Sequence, residues 1–202
     1  MLVNEGLWVG APDVDAITRL NEPVQTTSLR RPRTMLARGT YAPINTQNTA
    51  VHREVLPAFY FILQAGRFAP LIMDRFGDIF CSLFLNKVVD ALDGRVVFGT
   101  PVARHQRNAH NLFSDLEQEL PAIRMTDIIA EILSGTTVRS GTAAETYLEL
   151  TDGVEAGISR RRDVEPALKA HFRRTAQAQR AWIAACRAVG VADVKPVITQ
   201  AG

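Results

Sequence analysis

Residues 78–92 have the sequence DIFCSLFLNKVVDAL, and residues 95–98 have the sequence RVVF. Apolar side chains recur along the first segment at nearly helical spacing, at Ile79, Leu83, Val88 and Leu92. Because most of the remaining residues are also apolar, this helix is expected to be buried around most of its circumference. The second segment is β-branched and aromatic and is bounded by Gly94, Gly99 and Pro101, which is typical of a short strand. A buried helix followed by a strand predicts an α/β fold.

Hydrophobic spacing predicts three more helices around this unit. One begins at His52 and is stopped by Gly66, and a second begins with Thr126 as its cap and runs through Leu133. The dipeptide Gly141-Thr142 precedes the third. Residues 1–32 are expected to be rich in loops, residues 34–37 to form a short strand, and residues 39–48 to form an irregular loop.

A last helix is predicted over residues 164–189. Leu168, Trp182 and Val189 share one sevenfold register, which the polar Thr175 interrupts. A coiled coil needs more heptads without interruption, so we expect this helix to dock on the domain. We therefore divide the chain into a lobe at residues 1–160 and a C-terminal part at residues 161–202, with a frayed tail after Gly190.

Composition excludes several classes of protein. The chain has 202 residues, of which 47% are hydrophobic and 22% charged, and its formal net charge is +2. These values predict one ordinary folded domain and argue against a disordered chain. No apolar run reaches the roughly 18 residues that a membrane helix needs. A charge of +2 is too small to predict nucleic-acid binding.

The two cysteines, Cys81 and Cys186, lie in apolar surroundings and belong to no metal-binding motif. We interpret both as reduced core thiols. The N-terminus lacks the basic and apolar regions of a secretory signal, so a cytoplasmic location is the simplest expectation.

No P-loop, GxSxG, HExxH or GxGxxG motif occurs in the sequence. Polar residues in loops and at element ends therefore become the candidates for function. Asp78 begins the buried helix, where a carboxylate could accept a hydroxyl proton or orient a sugar, although capping explains it equally well. His105 and Arg107 follow a strand, where a histidine could bind a metal or phosphate and an arginine a diphosphate. For an isolated histidine, a surface or hydrogen-bonding role is the more common one.

Five short blocks of the sequence stand in a recognisable order. Residues 6–16 read GLWVGAPDVDA, residues 43–48 read PINTQN and are followed by PAFYF, and residues 75–80 read RFGDIF. The remaining two blocks are a strand end and a C-terminal dipeptide, namely Gly99, Pro101, His105 and Arg107, and then Trp182-Ile183.

These blocks resemble the reversibly glycosylated polypeptide family, whose plant members are UDP-arabinopyranose mutases. The resemblance spans almost the whole chain but only the second half of the family's proteins. It implies the C-terminal part of a GT-A-like nucleotide-sugar domain, with a helical C-terminal region. In the family, the preceding half carries the first nucleotide-binding strands, an acidic metal motif and a self-glycosylated arginine. We therefore expect either a fragment or a shortened relative that works with a separate nucleotide-binding partner or as an oligomer.

The resemblance also implies roles for individual residues. Asp78 stands for the second Asp of a family pair and would contact the transferred sugar, whereas Gly77 replaces the first Asp. Asn48 would line the sugar pocket. His105 would help bind Mn²⁺ or Mg²⁺ on the diphosphate, and Arg107, in place of Lys, would meet the phosphates.

Three other residues of the matching blocks are candidate substrate contacts. Arg75 belongs to the block around Asp78, and Asp13 and Asp15 belong to the first block. Both aspartates could instead be turn-forming residues, because Asx side chains hydrogen-bond nearby backbone.

The implied function is handling of a UDP-sugar, either by interconversion of its pyranose and furanose forms or by transfer of the sugar to an acceptor. A different class remains open, in which the chain is a non-catalytic or partner-dependent lobe. The absent metal motif and Gly77 favour this alternative.

Overall fold

The computed structural model describes residues 1–28, 33–64, 72–139, 141–192 and 194. These residues form a mixed α/β structure with a small sheet, five α-helices and one 3-10 helix. The strands are β1 Val3–Gly10, β2 Thr34–Met35, β3 Thr49–Val51 and β4 Val96–His105. The α-helices are α1 Ala16–Asn21, α2 Gly77–Ala91, α3 Leu112–Gly135, α4 Ala143–Arg160 and α5 Pro166–Ala188, and the 3-10 helix is Arg53–Ala58.

The sheet has the strand order β2-β4-β1-β3. The two central strands, β1 and β4, are parallel, and each edge strand pairs antiparallel with its neighbour. Because β1 and β4 run in the same direction, their carboxyl ends at Gly10 and His105 meet at one edge of the sheet. The loops that follow these two strands therefore start side by side.

Strand β4 is longer than the sequence predicts. It continues through Gly99 and Pro101 to His105, so the expectation that these two residues end the strand is wrong. The register shows why proline is tolerated: Gly6 pairs with Gly99 and Trp8 with Ala103, so the segment around Pro101 is a bulge. A bulge leaves a backbone position unpaired, which suits a residue without an N–H group.

The N-terminal segment is more regular than predicted. Residues 3–10 form the central strand β1, and Asp15 caps α1 by accepting from Thr18 N at 3.0 Å. The sequence of this strand lacks the alternation of apolar and polar residues that usually identifies a strand. The alternation is interrupted by Gly6, Gly10 and the buried Glu5. The short strand at Thr34–Met35 is confirmed, and residues 39–48 are irregular as expected.

The buried helix is confirmed at α2, which packs against α3, α4 and the 3-10 helix. Phe80 and Phe84 are buried in its middle, with ring centroids 5.9 Å from Phe172 and 5.4 Å from Tyr147. Burial of one such side chain contributes about 1.5–3 kcal/mol to folding. Cys81 and Cys186 are both buried free thiols, as predicted.

Two predicted helices differ from the structure. The helix expected from His52 is only the 3-10 helix, which contains Pro57, and the proposed stop at Gly66 lies outside the described residues. Thr126 lies inside α3 instead of capping a helix, because Asn111 caps α3 and Pro121 is accommodated within it.

The last helix is confirmed at α5, which docks on α4 and on the 3-10 helix. Trp182 Nε1 donates to Pro57 O at 2.9 Å, and Thr175 is buried. Val189 is 73% exposed, so it does not share the buried face that its register suggested. Most of the tail after Gly190 lies outside the described residues, and the division into two parts stays a prediction.

The two threonines provide a stability test. Thr142 and Glu145 form a reciprocal capping box at α4, whereas the Thr126 hydroxyl donates only to Ala122 O within α3. We expect Thr142→Ala to lower the free energy of unfolding by about 1 kcal/mol. Thr126→Ala should change it by less than about 0.5 kcal/mol, because alanine is the better helix former. Urea unfolding measures both, and equal losses would contradict the cap assignment.

Candidate functional site

The parallel ends of β1 and β4 bring together three of the residues that the sequence singled out, namely Asp13, His105 and Arg107. Gly10 has φ +98°, and a Cβ there would lie 2.5 Å from His105 O. The close approach of the two strand ends at this position therefore requires glycine. His105 Nδ1 lies 2.5 Å from Ala11 O. Because a carbonyl only accepts, Nδ1 carries the proton and Nε2 is the lone-pair nitrogen of the neutral ring.

An ion pair joins the two loops. Arg107, whose side chain is only 8% exposed, donates from Nη1 to Asp13 Oδ1. Asp13 also accepts from Gln47 Nε2 at 3.1 Å, which connects it to the irregular loop that contains Asn48. Asp13 therefore links both strand ends to that loop.

Arg75 is close to this ion pair but is held by α3. Its Nε donates to Glu119 Oε1 at 2.9 Å, and its Nη1 lies 3.6 Å from Asp115 Oδ1. Glu119 also accepts a hydrogen bond from Ala16 N at 2.7 Å, so this carboxylate bridges Arg75 and the first residue of α1. Arg75 has φ +67°, a conformation that costs a non-glycine residue energy and is fixed here by these contacts.

Asp78 lies half-buried in the first turn of α2. Its Oδ1 accepts from Ile79 N at 3.0 Å. Burial raises the pKa of the Asp78 carboxyl, the charge of Asp13 adds to this, and Arg75 opposes it. A carboxylate with a raised pKa beside a second carboxylate is suited to accept and return a proton. The alternative that Asp78 caps the helix is wrong, because Phe76 is the N-cap of α2 and no side chain caps it. The position of Asp78 in the first turn is still favourable for a negative charge.

The position of the Asn48 side chain is fixed by contacts with β1. Its Nδ2 donates to Leu7 O at 3.1 Å, and its backbone N donates to Asn45 Oδ1 at 2.9 Å. A Cβ on Gly6 would lie 2.2 Å from Asn48 Nδ2, so only glycine permits this close approach.

Asp15 is separate from these contacts. It accepts from the backbone and hydroxyl of Thr18, and these hydrogen bonds hold the pKa of Asp15 below its ordinary value despite partial burial. The structure therefore assigns Asp15 a capping position. Asp13, His105 and Arg107 lie at the ends of β1 and β4, whereas Asn48 contacts Gly6 and Leu7 within β1 and Arg75 is held by α3. Asp78 is connected to these residues by its electrostatic interaction with Asp13.

Sequence reasoning missed Glu5. This β1 residue is 2% exposed, and its Oε1 accepts from Asn45 N at 3.0 Å and from Asn45 Nδ2 at 2.5 Å. Burial raises the pKa of Glu5 to about 7, with a further contribution from the charge of Asp78. A glutamate in a segment interpreted as loop gives no signal of burial, so only the strand assignment could have identified it.

Gly77, where the family pattern has an aspartate, is packed against Gln64. A Cβ at position 77 would lie 1.9 Å from the amide end of Gln64. Oriented to satisfy both neighbours, that amide donates to Asp74 Oδ1 at 2.8 Å and accepts from Gly77 N at 3.0 Å. The Gln64 amide thus occupies the space that a side chain at position 77 would fill, and it accepts a hydrogen bond from the first N–H group of α2.

This packing predicts a coupled effect. Gly77→Asp should lower the free energy of unfolding by about 1–3 kcal/mol, because the new side chain displaces Gln64 from two hydrogen bonds. In the Gln64→Ala background the same change should cost less. Chemical unfolding of the four proteins of this double-mutant cycle measures the coupling. Additive losses would contradict the packing.

A metal centre is not formed by this chain's described residues alone. No group of three His, Cys, Asp or Glu side chains suited to an ion occurs among them. His105 Nε2 offers one nitrogen, while Asp13 is already paired with Arg107. The predicted Mn²⁺ or Mg²⁺ would therefore need further ligands from a diphosphate or from elsewhere.

The described residues define a mixed α/β fold with a polar edge at the carboxyl ends of two parallel strands, the place where open α/β sheets generally bind ligands. The sequence profile of the reversibly glycosylated polypeptide family matches residues 1–191. The chain belongs to this family.

Individual relatives agree with this assignment. The chain is 31% identical over 187 residues to the probable UDP-arabinopyranose mutase 2 of Solanum tuberosum, covering 91% of this chain and 48% of that protein. It is 30% identical to UDP-arabinopyranose mutase 1 of Arabidopsis thaliana and 28% identical to that of rice, Oryza sativa subsp. japonica, covering 91% of this chain in both cases and 49% and 48% of those proteins. The chain thus spans about half the length of these relatives.

Within the described part of the chain, no helix is long and apolar enough to cross a membrane.

Proposed function

We propose that this chain handles a UDP-sugar in the manner of a UDP-arabinopyranose mutase, within a GT-A-like arrangement of strands. The observation that carries the proposal is the cluster at the β1 and β4 ends. There the half-buried Asp78 lies near Asp13, and Asp13 is paired with Arg107. The acidic Asp78 and the cationic Arg107, which is suited to bind phosphate, thus both interact electrostatically with Asp13. The family relationship and the names of the relatives support this choice of substrate.

In the proposed reaction the bond between the anomeric carbon and the diphosphate oxygen breaks, and its electron pair leaves with the diphosphate. Another hydroxyl of the sugar then attacks the anomeric carbon and loses its proton, the original bond between the anomeric carbon and the ring oxygen breaks, and the freed ring oxygen takes that proton up. The diphosphate oxygen finally re-forms its bond to the anomeric carbon, so that the ring size changes. Asp78 would accept the proton of the hydroxyl that closes the ring. Arg107 would neutralise the charge that develops on the leaving diphosphate, and Asn48 would orient the sugar.

A divalent ion, when bound, would supply further neutralisation of the diphosphate. This chain would contribute His105 Nε2 to such an ion. We also propose that the chain acts in the cytoplasm.

A second candidate is a lobe that binds or supports a partner without catalysis. The incomplete set of metal ligands among the described residues favours it, as does Gln64 in the space of a family aspartate. In this case the nucleotide-binding half would come from a separate subunit.

Chromatography of UDP-arabinopyranose incubated with the purified chain and Mn²⁺ separates these functions. A mutase produces UDP-arabinofuranose without an acceptor, whereas a transferase releases UDP only when an acceptor is added. Asp78→Asn should lower the rate at least tenfold, and Asp127→Asn, an exposed change on α3, should leave it unchanged. Absence of conversion by the folded chain would overturn the catalytic proposal and favour the partner-dependent lobe.

A further inference from the structure

The buried Glu5 has no role in the proposed reaction, yet its contacts lead directly to the loop of Asn48. Glu5 pairs across the sheet with Thr49, the residue that follows Asn48. Its Oε1 accepts two hydrogen bonds from one loop residue, from Asn45 N at 3.0 Å and from Asn45 Nδ2 at 2.5 Å. Its Oε2 is buried with no hydrogen-bond partner among the described residues. Glu5 therefore fixes the orientation of Asn45.

Asn45 transmits this orientation to Asn48. Its Nδ2 also donates to Gly6 O at 3.3 Å, so both hydrogen-bond partners of this nitrogen belong to β1. The other end of the amide, Oδ1, therefore faces the loop, where it accepts from Asn48 N at 2.9 Å. The Thr49 hydroxyl donates to Asn45 O and closes the turn. Because Asn45 is buried, water does not readily replace these partners.

The hydrogen bonds of Asn48 leave one side-chain atom unused. Gly6 N donates to Asn48 O at 2.7 Å, and Asn48 Nδ2 donates to Leu7 O at 3.1 Å. In the described part of the chain, Asn48 Oδ1 has no hydrogen-bond partner. Asn48 is only half-buried, and an amide oxygen accepts hydrogen bonds from hydroxyl groups. The loop thus presents one acceptor oxygen in a fixed orientation.

We propose that Glu5 is a positioning residue, which acts through Asn45 to hold Asn48 Oδ1 where it accepts a hydrogen bond from a hydroxyl group of the bound sugar. A preorganised acceptor favours binding because little conformational freedom is lost when the ligand arrives. The sugar contact rests on the proposed function, whereas the network is a property of the free protein. Glu5 offers an acceptor oxygen in either protonation state, so glutamine keeps the contact with Asn45 and leucine removes it.

Amide hydrogen exchange at Asn48, measured by NMR in the free protein, tests the network without a ligand. We expect exchange about tenfold faster in Glu5→Leu and the wild-type rate in Glu5→Gln. Asn45→Ala should have the effect of Glu5→Leu and replaces it if that variant does not fold. Gln179→Leu is the matched control, because Gln179 is equally buried and donates to Tyr147 OH at 2.9 Å between α5 and α4. It reproduces a general loss of stability and should leave Asn48 exchange near the wild-type rate.

Calorimetric titrations with UDP and with UDP-arabinopyranose, both in the presence of Mn²⁺, test the sugar contact. The ratio of the two dissociation constants isolates the contribution of the sugar. Glu5→Leu and Asn45→Ala should weaken UDP-arabinopyranose binding about fivefold more than UDP binding, as expected for the loss of one hydrogen bond. Glu5→Gln and Gln179→Leu should keep the wild-type ratio. A merely structural role of Glu5 would weaken the binding of both ligands equally.

The two measurements distinguish failure of the network from failure of the proposed function. Unchanged Asn48 exchange in folded Glu5→Leu or Asn45→Ala would overturn the network, whichever ligand binds. Faster exchange with no binding of either ligand by the folded wild type keeps the network, and it overturns the proposed function together with the sugar contact. Faster exchange with an unchanged ratio of dissociation constants keeps the proposed function and overturns the positioning role.

Discussion

Replacement of Glu5 by glutamine is expected to stabilise the protein at pH 8 by an amount on the order of 3 kcal/mol. Burial raises the pKa of this carboxyl from 4.5 to about 7 in the folded state. The folded state therefore holds the proton more tightly than the unfolded state, and stability falls as the pH rises from about 4.5 to 7. Each pKa unit corresponds to about 1.4 kcal/mol. Glutamine does not titrate and resembles the protonated acid, so this loss should disappear.

Urea unfolding of both proteins at pH 5 and pH 8 measures the effect. The two should be nearly equal in stability at pH 5 and diverge at pH 8. Glu119→Gln is the control, because Glu119 is equally buried but is bound to Arg75 and to Ala16 N. That variant should be destabilised, since it leaves a cation without its partner. A Glu5→Gln variant that loses stability at pH 8 would contradict the assignment of Glu5 as a buried acid that forms no ion pair with the described residues.

Replacement of Gly6 by alanine is expected to disrupt the site more than the fold. The new Cβ would lie 2.2 Å from Asn48 Nδ2 and 2.6 Å from Asn48 Cγ, so the Asn48 side chain must move. Its hydrogen bond to Leu7 O is then lost. Overpacking of this kind costs about 1–3 kcal/mol of stability. If Asn48 orients the sugar as proposed, the affinity for UDP-arabinopyranose should fall at least tenfold, because the Asn48 side chain would be displaced.

Gly135→Ala is the matched control for this change. No atom of the described residues lies within 4 Å of a Cβ at this position, and Gly135 ends α3. Its stability should be unchanged or slightly increased, since alanine favours helix, and binding should be unaffected. Isothermal calorimetry and thermal unfolding of the two variants provide the comparison. Wild-type affinity in Gly6→Ala would remove Asn48 from the proposed sugar site.

The helices were predictable where their apolar residues alone define a buried face. Helix α2 is apolar around its circumference, and α4 begins at a capping box whose Thr142 and Glu145 are visible in the sequence. Helix α3 was only partly predicted, because Pro121 suggests an interruption and Thr126 suggests a new start. The structure accommodates Pro121, and only tertiary packing decides that.

Strand β1 could not be predicted from local pattern. Its glycines are needed where Asn48 and the His105 carbonyl approach the backbone, and such contacts join residues about 40 and 95 positions apart. The candidate site is also only partly predictable, because it too depends on contacts between residues far apart in the sequence. The blocks of family resemblance identified Asp78, His105 and Arg107, but the contact of Gln64 with Gly77 and the burial of Glu5 depend on long-range packing.

Both features lie near the start of α2. Gln64 fills the space beside Gly77, and the charge of Asp78 contributes to the raised pKa of the buried Glu5.

Calorimetric titration of the purified chain with UDP-arabinopyranose, with and without Mn²⁺, tests the central proposal that the strand-end cluster is a nucleotide-sugar site. We predict saturable binding that Asp78→Asn and Arg107→Gln each weaken at least tenfold, while Asp127→Asn has no effect. Absence of binding by the folded wild type, or binding that all three variants retain, would contradict it.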